Sequence, residues 1–480
     1  MAERAGDHDM EEYELEGGED MDAALQQDGC VEVKFDSDED VPPESDEEGM
    51  GDGPEGEEGI IDEREVYGED EDLQPEVDDA VAHIMHTESV LSCAFNPVNR
   101  RLLLTGSQDD SAVLWSIEEE AGGFKMTERH RLAGHTDSVS QVAFSVDGRF
   151  CATGSYDGTV RIWAPDTGAL VHTLDGPSKE VEWILWHPKG HAILAGSADT
   201  MAWMWWAPTG KLMQIFAGHG QAVTCGAWGL GGKLIVTGST DRSVIVWNPR
   251  AGTPQQHIRD VHDGPICSMC SHPEAPLAVT GSEDATARVV QIETGKVVAN
   301  LPGHSDSVEA SAFNNAAPGE LALLATASMD GNILVWDGKT FDARCQLKGE
   351  AGIVRFKWLP QSAYAAWLCT CATDGTVRLF NALAGQCLRV LRGHTDTVLD
   401  LDLAYGEVAG ASGVPPGAAL QMAVASGSDD KSCRLYTVDL WYLTGDAAKA
   451  APAPAVAVDP AAMQMPPPTP TNLEAGLSSA

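Results

Sequence analysis

Side chains able to do chemistry are plentiful: 14 histidines, 11 cysteines and 74 aspartates and glutamates in 480 residues. Their spacing decides what they can do. Cys267-Ser268-Met269-Cys270 has the separation of a redox pair or half a zinc site. It has no second half, and no helix N-terminus stands behind it to lower a thiol pKa. The remaining cysteines are scattered, which reads as free thiols in a reducing compartment, cytoplasmic with the nucleus as a second location. A phosphate-cradling glycine loop, a metal-spaced histidine cluster and a serine on a strand-to-helix turn are all lacking. The chain therefore reads as a non-enzyme with no catalytic residue, metal or cofactor. One arrangement does recur: an aspartate followed six residues later by the end of a short strand. The pairs are Asp109 with Trp115, Asp157 with Trp163, Asp199 with Trp205, Asp241 with Trp247, Asp284 with Val290, Asp330 with Trp336, Asp374 with Phe380 and Asp430 with Tyr436.

Something regular must hold these pairs. Successive aspartates lie between 42 and 56 residues apart, a period that marks a repeat architecture. Within each unit, short runs of β-branched and aromatic residues alternate with turn signals, as in Val142-Ala143-Phe144, Thr153-Gly154-Ser155 and Val160-Arg161-Ile162-Trp163. Such runs read as strands, and Asp157-Gly158 between two of them is a hairpin signal. No stretch within the units keeps a helical apolar period over three turns, so the region is all-β. About four strands per unit cannot bury a core alone, so neighbouring units must stack.

These residues resemble the WD40 family over roughly residues 80 to 445. The resemblance implies a single closed β-propeller of eight blades, flanked by a tail at 1–79 and another at 446–480. In that family a histidine before the first strand, a Ser or Thr on the second, the turn aspartate and the third-strand tryptophan form a hydrogen-bonded tetrad. The histidine matches His86, His135, His219, His262, His304 and His394. The implied structural tetrads run through His86, Asp109 and Trp115; His135, Asp157 and Trp163; His219, Asp241 and Trp247; and His304, Asp330 and Trp336, with Asp199 and Trp205 in blade three. Their purpose is to satisfy buried donors, not to catalyse. Blade three has Pro177 in the histidine position and blade seven has Glu350. Lacking both histidine and tryptophan, blade seven should be held least rigidly. The segment Ala80 to Met85 stands where the family places the outer strand of the preceding blade, so N-terminal residues are expected to complete blade eight and hide two sheet edges.

Residues 1–79 hold 34 Asp and Glu against three basic residues, a net of −31; subtracting this from the total of −44 leaves −13 for the rest. The leader has too little apolar surface to offset its ordering entropy and reads as disordered. The Ala- and Pro-rich stretch beyond Ala447 reads as a second flexible tail, and Tyr405 to Ala419 as a surface loop inserted in blade eight. No apolar run approaches the ~20 residues of a membrane span, and a surface this acidic repels nucleic acid. Ser37 and Ser45, each followed by acidic residues, resemble casein kinase two sites.

Protein binding remains, and the charge specifies a basic partner segment. The loops before the first strand and between the second and third strands share one rim of a propeller. They offer Glu88, Asp137, Asp306 and Asp396 two residues past the tetrad histidine, and Glu283 and Asp429 just before the turn aspartate. Blade three adds Glu180, Glu182 and Trp183 within a tryptophan-rich stretch, where an aromatic beside carboxylates suits Arg or Lys. The order Glu-Trp-x-x-Trp-His-Pro, then Trp203-Met204-Trp205, together with the acidic leader, resembles the family of the angio-associated migratory cell protein. That resemblance implies a monomeric chaperone for the basic N-terminal segment of a nascent large-subunit ribosomal protein, as in the family's fungal relative. The alternative it implies is a signalling or cell-migration scaffold. Trp247-Asn248-Pro249-Arg250 resembles the adaptor motif of a cullin-type ubiquitin-ligase receptor, with Asn in place of Asp.

Overall fold

A computed structural model describes residues 77–120, 123–314, 321–360, 364–407, 420–440 and 443. The expected disordered leader, the blade-eight insertion beyond residue 407 and the C-terminal tail lie outside the described residues. Among those described, thirty-two strands form eight antiparallel four-stranded sheets. Seven are built from consecutive strands: blade one over 90–132, two over 139–174, three over 181–217, four over 225–258, five over 266–301, six over 308–348 and seven over 353–391. The first strands of successive blades touch in order, and that of blade eight (Val398–Glu407) touches that of blade one (Val90–Phe95), which closes the ring.

The sequence pattern explains the layering. Second strands such as Leu102–Ser107, Ala192–Ser197 and Leu323–Ser328 are buried at every position, because both of their faces pack against neighbouring blades. Fourth strands such as Lys296–Leu301 are mostly exposed. Each core lies between two blades: Trp183, Leu194 and Met204 of blade three pack with Ile235, Ile245 and Trp247 of blade four. This burial is the main stabilising term.

Blade eight is completed from the other end of the chain, as expected. Ala82–Met85 pairs antiparallel with Ser432–Asp439, matching Ala82 to Leu435 and Met85 to Ser432. Two aspartates fasten the entry. The Asp79 amide donates to the Arg392 carbonyl and the Arg392 amide to the Asp79 carboxylate, each at 2.9 Å, while the Arg434 guanidinium holds Asp78. The same seam is tied on its inner side. Asp400 accepts from Ser92 Oγ at 2.9 Å and the Cys93 amide at 3.1 Å, and Asp402 accepts from the Phe95 amide at 2.7 Å. Lys357 of blade seven donates to Asp402 at 2.8 Å. Burial would lower that ammonium, but Asp402 and Asp400 hold it up at about 12.

Candidate partner-binding rim

Internal relays position the rim. In blade two the Trp163 indole N–H donates to Thr153 Oγ1 at 3.0 Å. Thr153 Oγ1 lies 2.7 Å from His135 Nε2, and His135 Nδ1 lies 2.9 Å from Asp157. One proton arrangement satisfies all four groups: indole to hydroxyl, hydroxyl to Nε2, Nδ1–H to carboxylate. Blades one, four and six repeat it, with His86, His219 and His304 each 2.8–2.9 Å from Thr105, Thr237 and Thr326 and 3.2 Å from Asp109, Asp241 and Asp330. Trp115, Trp247 and Trp336 donate to those threonines at 2.8–3.1 Å. Hydroxyl, imidazole and carboxylate stand in the order of a hydrolytic triad. Here the hydroxyls of Thr105, Thr153, Thr237 and Thr326 are fully buried and already accept an indole N–H, so no substrate carbonyl can reach them.

Burial pushes the His135 imidazole down against the pull of Asp157, so it is neutral at pH 7. Burial also opposes ionisation of Asp157, but hydrogen bonds from Thr159 and His135 bring its carboxyl to about 2. In blade five, His262 lies 2.8 Å from Thr280 and 3.0 Å from Asp284; in blade eight, His394 lies 2.7 Å from Ser426 and 2.9 Å from Asp430. Val290, in the tryptophan position of blade five, has no N–H to satisfy.

Blade three corrects the sequence reading: Asp199 and Trp205 are not linked through a tetrad. Ala195 stands where the other blades have a second-strand hydroxyl, so Trp205 sends its N–H to the Asp175 carbonyl at 3.3 Å. Trp203 donates to Asp199 at 3.2 Å and stacks on Trp205. In blade seven Arg378 donates to Asp374 at 2.6 Å and to Glu350 at 3.2 Å. Trp203 and Arg378 both lie four residues past the turn aspartate. In the two blades without a histidine, that position supplies the missing donor.

The turn residue before each aspartate hydrogen-bonds, through its amide, to the loop preceding the first strand. Tyr156 bonds Ser138, Ala198 bonds Glu180, Glu283 bonds Pro265 and Asp429 bonds Thr397, all at 3.0–3.1 Å. The two loop sets are thereby locked onto one rim. Glu88, Asp137, Glu180, Glu283, Asp306 and Asp396 are exposed there, while Asp429 and Glu182 are half-buried. Asp137, Asp306 and Asp396 each accept the next residue's amide at 2.7 Å, which caps their own turns with one oxygen. Glu88 is less available, being paired with Lys431 at 3.3 Å.

Trp183 does not line this rim. It is buried at 6%, its N–H donates to the Val223 carbonyl at 2.8 Å, and its ring packs over Gly196 and Gly226. Its neighbours Trp186, Trp203, Trp205 and Trp206 are buried too, so the tryptophan excess of blade three is packing between blades. The aromatic at the rim is Tyr156, 40% exposed. Burial first, then the charges of Glu182, Glu180 and Asp137, raise its phenol. Burial, then Glu180, raise the Glu182 carboxyl. An accessible ring thus stands among three carboxylates, and among the described residues none of the three has an ion-pair partner. Tyr156 occupies the same turn position as Glu283 and Asp429; a search of that column for aromatics as well as acids would have found it. Cys267 and Cys270 offer no thiolate: burial, then Glu309 and Glu283, push Cys267 to about 12, and burial lifts Cys270 to about 11. Among the described residues no group of three or more metal-binding side chains converges, and no helix is long and apolar enough to cross a membrane.

Comparison with known proteins agrees with this architecture. The WD domain, G-beta repeat profile matches residues 81–116, 126–164, 168–205, 210–248, 253–290, 295–337 and 385–437, and so passes over the first three strands of blade seven. The angio-associated migratory cell protein of Homo sapiens is 33% identical over 343 residues, 68% of this chain and 75% of that protein. That of Canis lupus familiaris is 32% identical over the same shares. Among solved structures, Saccharomyces cerevisiae Sqt1 superposes with a TM-score of 0.65 at 21% identity, covering 75% of this chain and 99% of its own. Chaetomium thermophilum Sqt1 bound to the N-terminus of the ribosomal protein L10 gives 0.63 at 23% identity, covering 75% and 100%. At such identities the structural likeness speaks for the fold.

Proposed function

The chain belongs to the WD-repeat family, and from that premise we propose that it is a non-enzymatic escort, holding a basic segment of a large-subunit ribosomal protein on its acidic rim. One observation carries the reading: Tyr156 exposed among Asp137, Glu180 and Glu182, none of them ion-paired among the described residues. An arginine or lysine seated there gains charge pairing and a cation–π contact together. Acidic charge along the rim accelerates encounter, and the aromatic slows release. The solved Sqt1 complex with the L10 N-terminus supports this choice of partner class. A reducing compartment, where ribosomal proteins are made, suits the free thiols.

Tagged protein captured from translating extracts tests it directly. The expected cargo is a nascent ribosomal protein, released steeply as salt rises. Asp137→Lys, Asp396→Lys and Tyr156→Ala should each weaken capture, with Tyr156→Ala raising the dissociation rate most. Salt-insensitive capture, or full binding after all three changes, would refute the rim. Recovery of signalling proteins instead would favour the scaffold reading that the human relative's name suggests.

A further inference from the structure

The turns joining first to second and third to fourth strands form the opposite rim. Between blades three and four they border an open cleft of about 320 Å³, lined by His187, Met204, Trp228, Lys233, Pro249 and Arg250 among others. That is the lower end of the range for ligand sites, about 300–1,000 Å³. In a chain of net charge −44 its lining contains two cations and no carboxylate. Among the described residues neither Lys233 nor Arg250 has an ion-pair partner. Lys189 stands close by, where a side chain added at Gly231 would meet its Nζ at 3.7 Å.

We propose that this cleft is the docking site of the chain's own acidic leader, through Glu11-Glu12-Tyr13-Glu14-Leu15-Glu16. Charge selects the leader, whose residues 1–79 carry a net −31. Reach and sequence select the segment. The leader joins the ring at Asp78 and Asp79, between blades seven and eight, diametrically opposite the cleft. With strands about 4.7 Å apart and four to a blade, the ring is on the order of 50 Å across. Tyr67 lies eleven residues from Asp78 and spans at most about 40 Å fully extended. Phe35 follows Lys34, which would face Lys233. Tyr13 stands between two glutamates, 65 residues from Asp78, a length whose random-coil span is about 40–50 Å. The tyrosine packs on the half-buried Trp228, and the flanking glutamates meet the exposed Lys233 and Arg250. Tethering raises the effective concentration toward millimolar, so modest intrinsic affinity suffices.

Carbodiimide coupling of carboxylates to lysine in the dilute full-length protein, read by mass spectrometry, tests the assignment. Lys233 and Lys189 should couple to Glu11–Glu16, and Arg250→Glu or Tyr13→Ala, checked for an unchanged melting temperature, should lower that yield about tenfold. Coupling spread evenly along the leader, none at Lys233, or yields unmoved by both variants would overturn it. In a mixture of 14N and 15N chains, links between labelled and unlabelled molecules would overturn docking within one chain. Client capture is not part of the readout, so this result and that for the acidic rim are separable.

Discussion

Blades two and seven occupy equivalent places in the ring and solve one problem with different chemistry. Blade two buries a relay from Trp163 through Thr153 and a neutral His135 to the Asp157 carboxylate. Blade seven has Phe380 and Glu350 at the ends and fills the gap with Arg378, buried and forked onto Asp374 and Glu350. The fold therefore requires a satisfied turn aspartate, not a histidine. Blade two buries one charge, the Asp157 carboxylate, held by hydrogen bonds, whereas blade seven buries a guanidinium as well, whose desolvation must be recovered from its partners. Glu350, 87% exposed, recovers little.

The sharpest way to break the comparison is Thr153→Val, which strands an indole N–H and an imidazole. It should cost about 2–5 kcal/mol, seen as a lowered urea midpoint at constant slope; a cost under 1 kcal/mol would mean that the relay contributes little. Arg378→Met should cost less, about 1–3 kcal/mol, because Asp374 keeps its Thr376 bonds and contact with water. Acid should separate the blades next. His135 is depressed from 6.5, so the unfolded chain binds the extra proton and stability falls as pH drops below about 6.5. Asp157 adds to the loss only between about 3.8 and about 2. Blade seven has only Asp374, depressed from 3.8 chiefly by Arg378 and Thr376 against burial. Hydrogen exchange, corrected for intrinsic rate, should thus accelerate in residues 139–163 between pH 7.5 and 5.5 while residues 353–380 hardly change. At pH 7.5 the latter should exchange faster; finding them among the best protected would reverse the ranking of the blades. Smallest of all, Glu350→Gln should shift the midpoint by under about 0.5 kcal/mol.

How much of this was legible follows from the chemistry of each position. The repeat, the all-β class and the closure by Ala82–Met85 could be read from periodicity and family resemblance, because strands and turns leave local marks. Asp199 and Trp205 kept their spacing, but the missing hydroxyl at Ala195 broke the link between them. Arg378 was invisible as a substitute because Arg161, Arg288 and Arg434 occupy the same position in other blades. On the rim, the acidic positions came from the repeat register. Composition counts Trp183 without showing which face it packs, and Tyr156 carries no charge to mark it in a turn position that is acidic at Glu283 and Asp429.

The staple between Ala82–Met85 and Ser432–Asp439 also sets a schedule. During synthesis the first of these segments leaves the ribosome about 350 residues before its partner. At about 5–20 residues per second, that is roughly 18–70 seconds. Seven blades can stack in that interval, yet the first waits with an uncovered flank until the last arrives. Maturity is then announced at one moment, when the oldest and youngest strands meet.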